Sequence, residues 1–133
     1  MPIVPLIQES AAPDDVRAVF EDIKSTRKSN WVNNFWKILA NHPPTMRRLW
    51  DDVKKVMQPG ALDPLTKELI YVAVSVTNNC EYCINSHIAA ARKKGMDDQT
   101  LAELVEIVAL ANAGNRLTQG LQVEVDERYK PKN

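Results

Sequence analysis

The chain has little of several features that mark common classes of protein. Only two of its 133 residues are cysteine and two are histidine, and 17 basic residues balance 17 acidic ones, which gives a formal net charge of zero. Because binding to a phosphate backbone needs a basic field, this balance predicts no nucleic-acid partner. No apolar run approaches the ~20 residues that span a bilayer, so we also predict no membrane partner.

The N-terminus lacks the features of an export signal. Residues 1–5 read MPIVP and contain neither the charged segment nor the apolar core of a signal peptide. We therefore expect a cytoplasmic protein. The reducing environment of the cytoplasm would also keep a cysteine pair available as a working dithiol. The length predicts one domain over residues 1–133.

The reactive side chains of the sequence are concentrated in residues 68–87. This stretch holds both cysteines, Cys80 and Cys83, together with His87 and an acid, Glu68, at the head of an apolar run. On a helix the spacings of three and four residues place Cys80 beside Cys83, and Cys83 beside His87. In one unbroken helix, however, Glu68 would lie about 18 Å from Cys80 along the axis. A single site therefore needs a break in the helix.

Residues 77–79, with the sequence TNN, predict that break. Asparagine favours helix caps, so we predict Asn79 as the N-cap and Cys80 as the first helical residue. The N–H groups of a helix N-terminus stabilise a thiolate, which favours Cys80 as the nucleophile. His87, a base one turn after Cys83, favours Cys83 instead. We follow the histidine, because a base both deprotonates and orients the thiol.

Two other interpretations of the cysteines stay open. They can be small buried apolar side chains with no chemistry. With His87 and His42 they can also form a Cys2His2 zinc site, although the usual spacings are not met and His42 lies far upstream. A Cys-x-x-Cys motif without a signal peptide is more typical of redox or metal chemistry than of a structural disulfide. We predict that no metal and no organic cofactor takes part.

The pattern Glu-x11-Cys-x2-Cys-x3-His resembles the signature of the alkylhydroperoxidase D-like branch of the carboxymuconolactone decarboxylase-like family. Here its residues are Glu68, Cys80, Cys83 and His87, and the resemblance covers about residues 45–120. It implies an all-α fold that assembles into oligomers, and we expect a homo-oligomer, a trimer or a hexamer.

The resemblance also implies thiol peroxidase chemistry with a redox-active disulfide, Cys80–Cys83. The cysteine matching Cys83 attacks a hydroperoxide and becomes a sulfenic acid, and the one matching Cys80 resolves it to the disulfide. Glu68 and His87 relay the proton that activates the thiol. An external dithiol, on a lipoyl- or thioredoxin-like protein, then reduces the disulfide.

The sequence departs from the best-known member at Tyr82, where that member has a second histidine. A phenol with a pKa of ~10 is a poor base at neutral pH, but Tyr82 can hold a water or donate a hydrogen bond. Two other functions stay open: a decarboxylase-like acid–base enzyme acting on a small carboxylic acid or lactone through His87 and Glu68, and a non-enzymatic redox-switch oligomer. The cysteine pair favours the redox branch.

Hydrophobic periodicity predicts a compact bundle of about six helices between an extended arm at residues 1–12 and a charged tail at residues 122–133. The arm could lie across a neighbouring subunit. The predicted helices begin near residues 13, 31, 44, 63, 80 and 97, and the last is interrupted or ends at residues 112–115.

The fourth predicted helix is apolar on nearly all sides, so we place it at the centre of the core. It carries Glu68 in its first turns, where a buried carboxylate must be paired or have a raised pKa. The sixth is apolar enough to be buried on two sides, which also suggests a homo-oligomer.

Overall fold

The structure, a computed structural model, describes residues 1–132 and contains six α-helices and no strand in that range. The helices are α1 (Asp14–Arg27), α2 (Asn34–Leu39), α3 (Pro43–Met57), α4 (Pro64–Thr77), α5 (Glu81–Lys93) and α6 (Asp98–Gly120). The predicted all-α fold is confirmed. Asn133, the last residue of the predicted charged tail, lies outside the described residues.

Side-chain caps fix where several helices begin. The Asp63 carboxylate accepts a hydrogen bond from the Thr66 backbone N–H at 2.9 Å, and Pro64 occupies the first helical position, so α4 begins near residue 63 as predicted. At the start of α2, Asn33 is the cap, so the helix begins three residues later than residue 31. Asp97 caps α6 in the same way as Asp63 caps α4.

The chain forms two compact units, one over residues 1–58 and one beginning at Pro59. The apolar core cluster lies in the first unit, on α1, α2 and α3 and the residues beside them. Its largest fully buried side chains are those of Trp36, Trp50, Phe20, Ile23 and Met46. The prediction that α4 is the centre of the core is therefore wrong.

Two tryptophans and the charges around them organise the first unit. The rings of Trp36 and Trp50 meet edge to face with centroids 5.4 Å apart, and the Arg27 guanidinium lies 5.3 Å from the centroid of Trp50. Asp22 accepts hydrogen bonds from Trp50 Nε1 at 2.9 Å and from Lys54 Nζ at 2.6 Å. The bond from Lys54, followed by that from Trp50, lowers the pKa of Asp22.

Replacing Asp22 with alanine should destabilise the protein, because Trp50 Nε1 and Lys54 lose their shared acceptor. The Asp22 side chain is 35% exposed, so we discount for solvent screening and expect about 1–2 kcal/mol at pH 7. A carboxyl with a lowered pKa stabilises the fold above its unfolded pKa. The difference from wild type should therefore shrink as the pH falls below about 3.9.

Urea unfolding followed by circular dichroism measures this effect. Asp52→Ala, which removes an exposed carboxylate from α3, is the matched control and should change stability by less than about 0.5 kcal/mol. Identical unfolding midpoints for wild type and Asp22→Ala at pH 7 would contradict the prediction.

The N-terminal arm is extended in part and attached to its own unit. The Ile7 backbone N–H donates to the Lys37 carbonyl at 3.1 Å, and Asn41 Nδ2 donates to the Pro5 carbonyl at 2.7 Å. Glu9–Ala11 forms a 3-10 turn, so the predicted extended arm is wrong for those residues. The Glu9 carboxylate binds Lys24 at 2.9 Å, which ties the turn to α1.

Helix α6 is continuous through residues 112–115, where the sequence predicts an interruption or an end. Asn112 does not break the helix because its side chain donates to the Val108 carbonyl at 2.8 Å and to Thr77 Oγ1 at 3.0 Å. Of the residues of α6 only Val108 is buried, whereas Ile107 is 65% and Leu110 75% exposed. The single chain thus leaves uncovered the apolar surface that the sequence predicts to be buried on two sides.

Across residues 1–132, the structure has no helix with the length and apolar character needed to cross a membrane.

Candidate redox site

The site is built on α4, α5 and the short turn that joins them. Asn79 adopts a left-handed backbone conformation with φ of 55°, which asparagine tolerates better than most residues. The Cys80 backbone N–H then donates to the Ser75 carbonyl at 3.0 Å, which closes the turn. The predicted break between the helices is confirmed, and α4 and α5 pack against each other.

The predicted cap is wrong by one residue. Cys80, not Asn79, is the N-cap of α5, and its sulfur accepts a hydrogen bond from the Cys83 backbone N–H at 3.3 Å. Asn79 is not the cap because it forms the left-handed turn that precedes the helix. Glu81 begins the helix, so Cys83 lies in its first turn. Both cysteines therefore lie at the start of the helix, where backbone N–H groups have no partner within the helix.

The two cysteines form a disulfide. Their Cα atoms are 5.3 Å apart, and both residues are partly buried. That separation is within the range that a disulfide spans without backbone movement. The Cys-x-x-Cys spacing at this helix start thus suits a disulfide.

The carboxylate of Glu68 lies against His87, 19 residues later in the chain. Glu68 Oε2 is 2.7 Å from His87 Nδ1, and the Glu68 residue is only 6% exposed. The predicted burial of Glu68 is confirmed. The return of α5 along α4 brings Glu68 to His87, and His87 follows Cys83 by one helical turn. The α4–α5 hairpin thus explains how Glu68, twelve residues before Cys80 in the sequence, reaches His87.

Glu68 has a second cationic partner, which the sequence reasoning missed. Lys94 Nζ lies 3.1 Å from Glu68 Oε1. Burial raises the pKa of Glu68, but the hydrogen bonds from His87 and Lys94 outweigh it and hold that pKa below its ordinary range. The buried carboxylate is therefore paired and ionised, the first of the two alternatives that the sequence leaves open.

Tyr71 is the other contact that sequence reasoning missed. Its ring stacks on the His87 ring with centroids 3.5 Å apart and an interplanar angle of 17°. The signal was present in the spacing, because Tyr71 follows Glu68 by three residues on α4. Lys94 likewise follows His87 by seven residues, or two helical turns.

Tyr82 lies between the two cysteines in the first turn of α5 and is 44% exposed. His42 belongs to the first unit, and its ring caps α3 through Thr45. Over the described part of the chain, no group of three or more His, Cys, Asp or Glu side chains could hold a metal ion. The Cys2His2 alternative therefore has no such cluster to support it.

The arrangement of the ring nitrogens sets what His87 can do. A carboxylate at Nδ1 favours the tautomer in which Nδ1–H donates, and a neutral imidazole then has its acceptor at Nε2. An anion hydrogen-bonded to the imidazole also stabilises the imidazolium once a proton is taken up. The site thus combines an oriented base with a cysteine one turn away on the same helix.

Comparison with known proteins shows which family contains this chain. A model of the Carboxymuconolactone decarboxylase family matches residues 43–124, a range that contains Glu68, both cysteines and His87. The chain belongs to this family. The predicted family resemblance is confirmed.

Individual known proteins resemble the chain to different extents. A crystal structure of an alkylhydroperoxidase AhpD core from Rhodospirillum rubrum is 47% identical, with a TM-score of 0.95 over 99% of both chains. The alkyl hydroperoxide reductase AhpD of Streptomyces coelicolor is 33% identical over 57% of this chain and 42% of its own length. Uncharacterized protein 4 in the cox locus of Paracoccus denitrificans is 39% identical over 46% of this chain and 55% of its own. The chain spans about half the length of the curated relatives it matches.

Proposed function

We propose that the chain is a thiol-dependent peroxidase that reduces hydroperoxides through Cys80 and Cys83, with Glu68 and His87 as a proton relay. The observation that carries the proposal is one helical hairpin holding both a disulfide-forming Cys-x-x-Cys pair and a buried Glu68 carboxylate hydrogen-bonded to His87. The likeness to proteins described as alkylhydroperoxidases supports it.

The first step starts from the dithiol. His87 Nε2 takes the proton of the Cys83 thiol, and the Glu68 carboxylate stabilises the resulting imidazolium through Nδ1–H. The thiolate attacks one oxygen of the hydroperoxide, the O–O bond breaks, and Cys83 becomes a sulfenic acid. The departing alkoxide takes the proton from His87 and leaves as the alcohol.

The second step forms the disulfide. The Cys80 sulfur attacks the Cys83 sulfur, the S–O bond breaks, and hydroxide leaves as water with the proton of the Cys80 thiol. The 5.3 Å separation of the two Cα atoms allows this without a large movement of the backbone. An external dithiol, on a lipoyl- or thioredoxin-like protein, restores the two thiols by exchange. The balance is one hydroperoxide and one dithiol converted to alcohol, water and disulfide.

We further propose that this cycle operates in a cytoplasmic homo-oligomer, a trimer or a hexamer. Support for association comes from the large apolar side chains that the single chain exposes on α6, among them Ile107, Leu110 and Leu117. A reducing compartment would supply the external dithiol. We assign Tyr82, an exposed residue in the first turn of α5, the role of donating a hydrogen bond to the incoming peroxide.

Thiol counting after peroxide treatment tests the proposed function. The reduced protein, freed of reductant, should consume about one equivalent of cumene hydroperoxide and lose both of its thiols together. Dihydrolipoamide should then support continuous turnover.

Other outcomes point to the alternative functions. Two thiols that persist in peroxide would contradict the proposal and favour acid–base chemistry at Glu68 and His87, which thiol alkylation should leave intact. Loss of both thiols without turnover on any dithiol would indicate a redox switch.

A further inference from the structure

Each carboxylate oxygen of Glu68 has its own partner. Oε2 is 2.7 Å from His87 Nδ1, and Oε1 is 3.1 Å from Lys94 Nζ. The Glu68 side chain is 8% exposed and that of Lys94 36%, so the ion pair joins a buried anion to a cation at the surface. The Glu68 carboxylate therefore binds two side chains, that of His87 in the middle of α5 and that of Lys94 directly after it.

We infer that Lys94 is a positioning residue of the redox site, whose ammonium group holds the buried Glu68 carboxylate against His87, where it stabilises the imidazolium that forms when Cys83 loses its proton. This inference rests on the proposed peroxidase function. It adds a role that the four-residue pattern of Glu68, Cys80, Cys83 and His87 does not contain.

The electrostatic argument concerns the resting site, before His87 takes up a proton. A buried carboxylate whose only partner is a neutral imidazole lacks a compensating charge, and burial then favours its protonated form. A protonated Glu68 would no longer stabilise the imidazolium that the reaction forms. The ammonium group of Lys94, 3.1 Å from Oε1, supplies a compensating positive charge that does not depend on proton uptake by His87.

The backbone holds Lys94 in this position. Lys94 is the C-cap of α5, and Gly95 follows with φ of 105°, a left-handed conformation that glycine adopts without strain. The Met96 backbone N–H donates to the Ala91 carbonyl at 3.0 Å, and both of those residues are buried. The lysine is thus presented by a closed, anchored helix end.

Lys93 provides the matched comparison. It is the preceding residue, it is exposed, and it carries the same charge near the same helix C-terminus. A general effect of cations on the helix dipole would involve both lysines. The hydrogen bond to Glu68 involves Lys94. Tyr71, on α4, also contacts the Glu68–His87 pair, because its ring stacks on the His87 ring.

The experiment compares Lys94→Met, Lys94→Gln and Lys94→Arg with Lys93→Met in the full chain. Carbon-13 NMR of the Glu68 carboxyl measures its pKa, which should rise in Lys94→Met, because a hydrogen bond and a positive charge are lost, and in Lys94→Gln, because the positive charge is lost. It should stay near the wild-type value in Lys94→Arg and Lys93→Met. Lys94→Gln keeps a hydrogen-bond donor without the charge, so it separates the two contributions.

The second readout is the rate of Cys83 oxidation by peroxide as a function of pH. At pH 7 we expect Lys94→Met to react about tenfold more slowly, since the general base is weakened but still present. In the pH–rate profile of this variant, the fall in rate on the acid side should move to higher pH together with the Glu68 pKa. Lys94→Arg should recover most of the rate, and Lys93→Met should match wild type.

Each remaining outcome has a defined meaning. An unchanged Glu68 pKa in Lys94→Met, an unchanged rate despite a raised pKa, or an equal loss of rate in Lys93→Met would each overturn the inference. If the wild-type protein consumes no peroxide, the proposed function fails, and the NMR comparison still decides whether Lys94 controls the ionisation of Glu68.

Discussion

Replacing Cys83 with serine should abolish peroxide-dependent oxidation of an external dithiol, with turnover lowered by roughly 10³-fold or more. A serine hydroxyl does not ionise near neutral pH and cannot form a sulfenic acid or a disulfide. Cys83 is the cysteine one helical turn before His87, and Glu68 orients that histidine at 2.7 Å. Coupled reduction of cumene hydroperoxide at pH 7 measures the loss.

Cys80→Ser is the matched variant, because it removes the other sulfur from the same helix start. Its Cys83 should still be oxidised by the first equivalent of peroxide and stop at the sulfenic acid, which a dimedone adduct detects by mass spectrometry. Cycling turnover should be lost, since no resolving thiol is present. The reverse result, with single-turnover oxidation in Cys83→Ser but not in Cys80→Ser, would assign the nucleophile to Cys80 at the helix cap.

Replacing His87 with glutamine should lower the rate of Cys83 oxidation at pH 7 by about 10²–10⁴-fold, the usual contribution of a positioned general base. Glutamine keeps a polar side chain beside Glu68 but cannot take up the thiol proton. The deficit should shrink above about pH 8.5, where a thiol ionises in water without help. Stopped-flow oxidation measured from pH 6 to pH 10 gives both quantities.

His42→Gln is the control for this variant, because it removes the only other histidine of the chain. His42 caps α3 through Thr45, so its loss should cost about 1 kcal/mol of stability and leave the oxidation rate unchanged. An unchanged rate in His87→Gln, or a deficit that stays constant up to pH 10, would rule out His87 as the base.

Local signals in the sequence predicted the elements of the site well. Asp63 and Pro64 mark the start of α4 through chemistry confined to one turn, and the asparagines before Cys80 mark the break. The cap itself was misplaced, because Asn79 could serve either as the cap or as a left-handed turn residue. Sequence spacing does not distinguish those uses, whereas the closing hydrogen bond from Cys80 to Ser75 does.

Contacts between distant residues could not be predicted in the same way. Lys94 lies 26 residues from Glu68, and only the register of α5 against α4 brings the two together. The position of the core was also mispredicted, because the apolar character of α4 does not reveal which surfaces are covered in the single chain. Asn112 looked like a helix breaker, yet its side chain bonds within the helix and to Thr77.

The division of the chain into two units also separates its chromophores. All three tryptophans, Trp31, Trp36 and Trp50, lie in the first unit, and the three tyrosines, Tyr71, Tyr82 and Tyr129, lie in the second. Intrinsic fluorescence excited at the red edge of absorption therefore follows the first unit alone. Tyrosine difference absorbance, once the tryptophan contribution is subtracted, follows the unit that contains the disulfide. Coincident transitions for the two signals would show that both units unfold as one cooperative system.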